Sequence, residues 1–301
     1  MTTTVKAPRP AGPPAGPRGG TSAGAGARAR VRRTVRVTRI ILRTTAVNIR
    51  GRLEYPGDFA FEIIFGILWQ TSTLAFAAVL ITRFDGLGDF PNGGVLLIVG
   101  MRLMSHGLFT MVFGNLSDQL LELVEEGRVE GYFLRPMSVL TQILISRFNI
   151  NALGDFFVGV TVCAMAVAQA PVDWTAGAVL YLGAAIAGGV FLEAAVQLPL
   201  AALLLRSPFA HGVGKWIDDI MATIGNYPLS ILPVVLRGIF TYLLPLAFVA
   251  YFPVLVLLDR EPDHGPLAWL AQWSPAVCVL LFLVAKRFWN WNLRHYQSNG
   301  G

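Results

Sequence analysis

The chain has 301 residues, of which 54% are hydrophobic and only 14% charged, where a soluble protein has roughly a quarter charged. With a mean hydropathy of +0.57 and several uninterrupted apolar runs, this excludes a free cytosolic enzyme and defines an all-α polytopic membrane protein. Residues 1–53 hold 12 of the 24 basic residues and no acidic one, so the net charge of +6 resides there. The two cysteines, Cys163 and Cys278, sit in apolar runs, which excludes a disulfide framework and metal-ligand spacing.

Residues 1–33 read as a disordered basic cytoplasmic tail, because an Ala/Gly/Pro/Arg composition buries too little apolar surface to offset ordering. Within it Gly20-Thr21-Ser22-Ala23-Gly24 matches a nucleophile-elbow pattern, but no strand precedes it and no helix follows. Over 34–54 the pattern becomes an amphipathic interfacial helix. Arg36, Arg39, Arg43 and Arg50 line one stripe and Val35, Leu42, Ile49 and Leu53 the next, a spacing suited to anionic headgroups and the acyl boundary. Tyr55-Pro56-Gly57-Asp58 ends it.

Residues 55–290 form a six-span domain. A bilayer crossing needs about 20 mostly apolar residues, and six segments qualify: about 59–81, 95–116, 150–170, 177–205, 231–258 and 267–285. With the N-terminus inside, the Lys/Arg bias is twenty inner residues against Arg83 and Arg260 outside. Both termini are therefore expected in the cytoplasm, residues 291–301 as a C-terminal tail, in a plasma or inner membrane. The outer loops are short and lean acidic.

The chemical motifs are mostly negative. Gly212-Val213-Gly214-Lys215-Trp216 lacks the spacing and hydroxyl of a phosphate-binding G-x-x-x-x-G-K-[ST] loop. No cofactor is expected to bind the chain directly. The four histidines make no H-E-x-x-H, and Ser105 and His106, adjacent on a helix, point about 100° apart and cannot form a catalytic pair with each other. The positive signal is the inner loop after the second span. Residues 115–127 read as a short amphipathic helix with Leu120, Leu123, Val124 and Gly127 on one face, Glu122, Glu125 and Glu126 beside it, and Gly127 as C-cap. A charged helix across the inner ends of spans suits docking of a soluble partner.

Three segments resemble one family, the permease subunits of type-2 ABC transporters. They are Leu53-Glu54-Tyr55-Pro56-Gly57-Asp58-Phe59, the stretch from Glu126-Gly127-Arg128 to Leu134-Arg135-Pro136, and Tyr227-Pro228 with Pro245, Ala247-Phe248-Val249, Tyr251 and Pro253. The likeness covers about residues 34–290. It implies a subunit forming a membrane path for export, paired with a second permease copy or a related permease and driven by separate ATPase subunits that hydrolyse ATP. Leu120, Leu123, Glu125, Glu126, Gly127, Arg128, Glu130 and Arg135 are then the expected ATPase-coupling residues. The rival functions are an ion- or proton-coupled secondary transporter and a membrane-embedded enzyme. No nucleic-acid partner is expected.

Polar groups within spans need partners or water, since each ionisable one costs roughly 2.5–3.5 kcal/mol to insert. Arg102, Ser105, His106 and Thr110 form a stripe on the second span, and Glu193 lies near the middle of the fourth, with Gln197 one turn on. Two readings stand, a hydrated translocation path and interhelical bonding that fixes packing. Ala184, Ala185, Ala187, Gly188 and Gly189 offer a close helix approach, and Pro233, Pro245 and Pro253 would kink the fifth span. Glu62, Asp155 and Arg237 fall at similar depth near the inner ends of spans one, three and five, which makes a cytoplasmic gate pairing feasible; snorkelling of Arg237 is the alternative.

Overall fold

A computed structural model describes residues 86–146, 149, 152–260 and 268–296, with isolated positions between Arg43 and Ala78. The expected tail, the interfacial helix, the first span and Glu62 lie essentially outside the described residues. The chain divides into two units, Met1–Arg43 and Thr44–Gly301, and the helices below belong to the second.

Ten α-helices, joined by short 3-10 turns and one π-turn, account for the described regular structure. Helices α1 (Asn92–Phe113), α2 (Leu116–Glu125), α3 (Val129–Phe133), α4 (Val139–Ser146) and α5 (Leu153–Gln169) come first. They are followed by α6 (Ala176–Leu204) and α7 (Phe209–Ile224). Then come α8 (Val234–Gly238), α9 (Tyr251–Leu257) and α10 (Ser274–Arg294). Helices α1, α5 and α6 match the expected second, third and fourth spans closely. α10 continues nine residues beyond the expected end of the last span, so the first part of the expected C-terminal tail is helical.

The α1–α5 pair is the closest packed. A Cβ on Gly93, Gly100 or Gly107 would lie 2.4, 2.7 and 2.7 Å from the backbone of Ala170, Cys163 and Phe156, and one on Gly159 would lie 2.6 Å from Met104. Glycines seven residues apart return to one helix face, and without side chains they let the antiparallel backbones touch. Gly188 does the same for α6 against Pro275 at the start of α10, with a Cβ-to-Cα distance of 3.0 Å. That fulfils the expectation of close approach on α6.

The expected fifth span is corrected. Residues 231–258 do not cross; they enter and leave at the Asn92 end. At the start, Gly88 abuts Ser230 and Ile231; at the finish, Gly94 abuts Leu258, and Arg260 donates to the Asp89 carbonyl. Between these, the arm Val234–Leu243 and the arm Leu246–Leu257 are bent by 74°. The tip reaches Gly189, against which Val249 packs, about 20 Å along α6 at 1.5 Å per residue. The three prolines do not kink a through helix. Pro233 precedes α8, Pro245 precedes the 3-10 turn Leu246–Phe248, and Pro253 lies in the first turn of α9, where a missing N–H costs least.

The run from the Leu204 end of α6 to the Asn92 end of α1 is made by α7 and the residues after it. Gly214 lies beside Gln197 and Leu200, near the Leu204 end of α6; Gly225 lies against Arg102; and Ser230 reaches Gly88. Its 16 residues span about 24 Å, and residues 225–230 complete the passage. Single cysteines at Ile231, Arg260 and Gly212 test this, since Cys163 and Cys278 are buried and silent. The expected result with an impermeant thiol reagent is labelling of Ile231→Cys and Arg260→Cys from one side and Gly212→Cys from the other.

Candidate functional site

A buried polar cluster sits where α1, α6 and α7 meet. Arg102 Nη1 donates to Glu193 Oε1 at 2.7 Å, and His106 Nδ1 lies 2.8 Å from Glu193 Oε2. Thr110 Oγ1 lies 3.4 Å from His106 Nε2, and Ser105 donates to the Ile186 carbonyl at 3.0 Å. Arg102, His106 and Thr110 of the stripe thus form one connected network with Glu193 as its hub, and Ser105 bonds separately to the α6 backbone. Arg102 and Glu193 are each 1% exposed. Pairing is what makes such burial tolerable, because either charge alone would shift its proton or expel the structure around it.

Arg102 Nε and Nη2 have no protein partner among the described residues. Nε faces Gly225, where a Cβ would lie 2.5 Å from it. The guanidinium therefore sits at the C-terminal end of α7, where exposed carbonyls favour a cation. Gln197 donates to the Gly214 carbonyl at 3.4 Å. A cleft opens toward the Phe113 end, lined by Phe109, Phe113, Gln197, Gly214, Lys215 and Asp218. Asp218 lies in the field of His106, Glu193 and Arg102. Hydropathy alone leaves residues 206–230 between spans and so does not single out Asp218, Lys215, His211 or Gly225; the i, i+4, i+7 polar spacing of His211, Lys215 and Asp218 is the signal that could.

Asp118, in the first turn of α2, is clamped to α7. Its carboxylate accepts from Lys215 Nζ at 2.9 Å and lies 2.8 Å from His211 Nε2. Partial burial pulls the Asp118 carboxyl up, but the Lys215 and His211 hydrogen bonds outweigh it and hold the group below the ordinary carboxylate value. A depressed carboxyl stabilises the fold above its unfolded pKa, and that contribution disappears as pH falls through the folded value. Asp118→Asn is therefore expected to lower thermal stability near neutrality and to flatten the acid limb of a stability-against-pH curve. A curve of unchanged shape would contradict the clamp.

The inner segment expected to be a short helix capped by Gly127 is one. α2 ends in a Schellman motif: Gly127 has φ +65°, Arg128 N donates to the Leu123 carbonyl at 2.9 Å, and Gly127 N to Val124 at 3.2 Å. Leu120 and Leu123 are buried in a cluster with Ala194, Leu198 and Trp289, so they anchor the helix and cannot touch a soluble partner. Glu125, Glu126, Gly127, Arg128, Glu130 and Arg135 are exposed, and Leu134 is 88% exposed between them. Arg128 pairs with Glu126 and Glu122, and Arg135 stacks 5.2 Å from the Tyr132 ring. Gln142 fixes the loop from beneath, donating to the Tyr132 and Met137 carbonyls at 2.8 and 2.9 Å.

The expected Asp155–Arg237 gate does not form. Arg237 Nη2 donates to the Ser230 carbonyl at 2.7 Å, beside the Asn92 end. Asp155 lies in the first turn of α5, next to Phe156, which abuts Gly107, fifteen residues or about 22 Å along α1 from Asn92. The re-entrant course of residues 231–258 puts Arg237 at the opposite end from Asp155.

Apolar helices packed side by side, three of them among the described residues long and apolar enough to span a membrane, with a buried charge network between them, define an all-α membrane protein. The ABC-2 family transporter profile matches residues 67–300, and the chain belongs to that family, as the resemblance of its motifs implied. It is a membrane transport component of an ABC system. No curated protein and no solved structure matches it.

Proposed function

We propose that the chain is the permease subunit of an ATP-driven exporter in the cell membrane, with six crossings and both termini cytoplasmic. It pairs with a second permease and is driven by separate ATPase subunits. The observation that carries this reading is the exposed Glu125–Arg135 loop on the buried foot of α2. Leu120 and Leu123 lock α2 to α4 and α6, and Asp118 ties it to α7. A partner closing on the loop then pushes a rigid element that holds two crossings. α7, bearing Lys215 and Asp218 beside the cleft, is the mobile wall of the path, and Arg102, His106, Glu193 and Gln197 line its inner end.

Charge reversal at Glu125 and Glu126 is expected to weaken ATPase copurification or uncouple ATP hydrolysis from transport at least tenfold, roughly the effect of losing a few charge pairs at an interface rim. Membrane insertion should be unaltered. Unchanged copurification and coupling in reconstituted vesicles would sink the docking assignment. The His106–Glu193 contact supports a second reading, a proton-coupled transporter. Transport by the purified chain alone, driven by a pH gradient without ATP, would favour it.

A further inference from the structure

The outer face of α10 carries a feature that neither the path nor the docking loop uses. At 100° per residue, Leu280, Leu283, Val284, Arg287, Trp291 and Arg294 fall within about 60° of one line along the helix. The buried residues Cys278, Ala285, Trp289 and Asn292 occupy the opposite side. Leu280, Leu283 and Val284 are 61%, 54% and 60% exposed, and Arg287 and Arg294 are exposed one to three turns further on. α10 contains no Asp or Glu.

At the charged end, Arg206 from the end of α6 joins the same spot. Its guanidinium lies 5.7 Å from the Trp291 ring centroid, and the His295 ring is tilted against Trp291 at 4.9 Å. None of Arg206, Arg287 and Arg294 has a carboxylate partner among the described residues. Trp273 and Trp291, both half exposed or more, are separated by about 27 Å along α10, close to the ~30 Å hydrocarbon thickness. Trp291 therefore marks the headgroup level at the Phe113 end.

We propose that this face binds an anionic phospholipid. Its phosphate is held by Arg206, Arg287 and Arg294 around the Trp291 ring, and its acyl chains lie along Leu280, Leu283 and Val284. Unpaired guanidiniums above an apolar stripe that leads into the bilayer fit that chemistry at both ends. A zwitterionic lipid offers the chains but adds a cation against three arginines; a free phosphate offers the charge but leaves the stripe unused.

Native mass spectrometry of the full chain, released from detergent with phosphatidylglycerol, phosphatidylcholine or inorganic phosphate, tests this. The expected result is selective retention of phosphatidylglycerol adducts, with loss on the order of 100-fold in the Arg206→Ala/Arg287→Ala/Arg294→Ala variant if about fivefold per arginine adds. Leu280→Asn/Leu283→Asn should also reduce retention. Equal retention of the two lipids by the wild type would overturn the proposal whether or not the variants fold. Displacement of phosphatidylglycerol by inorganic phosphate would reassign the site to a free anion. The triple variant keeps the basic segment 1–53, so undiminished retention by it would place the lipid on that segment and overturn the assignment to α10.

Discussion

Glu193→Ala is expected to lower the yield of folded protein and its thermal midpoint more than any other single change in the path, because it strips two partners from one buried site. Arg102, 1% exposed, would lose the carboxylate to which it is hydrogen-bonded, and His106 would lose its Nδ1 contact. Breaking a buried ion pair from one side costs about 3–5 kcal/mol, a large share of a total stability of roughly 5–15 kcal/mol. Replacing both members by apolar residues of similar size removes the orphaned charge, so Arg102→Met/Glu193→Met should recover most of the loss. Fluorescence-detected gel filtration after heating would read both. A Glu193→Ala protein as stable as wild type would show that Arg102 does not depend on the pair.

The same double variant separates the two meanings of the cluster. If the network only fixes packing, a stable Met/Met protein should transport normally. If it lines the path, transport should fail in folded protein. The small cleft lined by Gln197, Lys215 and Asp218 together with Phe109 and Phe113 lies on the Phe113 side of the cluster, where the second outcome would need an exit.

Much of this cluster was legible in the sequence, and the reason is geometric. Arg102, Ser105, His106 and Thr110 are spaced three and four apart, so any helix puts them on one face, and depth counting alone places Glu193 mid-span. Their contact required only that α1 and α6 be neighbours, which the spacing could suggest but not fix. The α2 cap was equally readable, since Gly127 follows the last amphipathic turn and adopts the left-handed conformation that such a cap needs.

The fifth crossing was hidden by its own chemistry. Hydropathy ranks segments by apolar content, and residues 231–258 are apolar because the hairpin packs its α9 arm into the core while its α8 arm stays exposed, with Val234 and Val235 at 81% and 74%. α7 fails the same test because it carries His211, Lys215, Asp218 and Asp219 in sixteen residues. A crossing helix may carry such groups only where other helices or a water-lined cleft receive them. The residues that disguise α7 as a loop are therefore the ones that tie it to α2 and face the cleft. The Asp155–Arg237 pairing failed for the same reason: equal depth was computed from a crossing that does not exist.

The second large effect is expected at the α1–α5 seam. Gly100→Ala adds one methyl group, and in an isolated helix that change stabilises by about 1 kcal/mol. Here the new Cβ would lie 2.7 Å from the Cys163 nitrogen and 2.9 Å from its Cα, both backbone atoms that cannot rotate aside. The helices must separate, and overpacking of this kind costs about 1–3 kcal/mol, so the net effect is destabilising. Gly107→Ala meets the Phe156 backbone at 2.7 Å in the same way, seven residues further along one face. Because a first substitution already forces the pair apart, the double variant should lose less than the sum of the two single losses. Gly131→Ala, within α3 and with open space around the added Cβ, serves as the control and should leave the thermal midpoint unchanged or raise it. Equal midpoints for Gly100→Ala and the control would mean that α1 and α5 do not pack backbone to backbone.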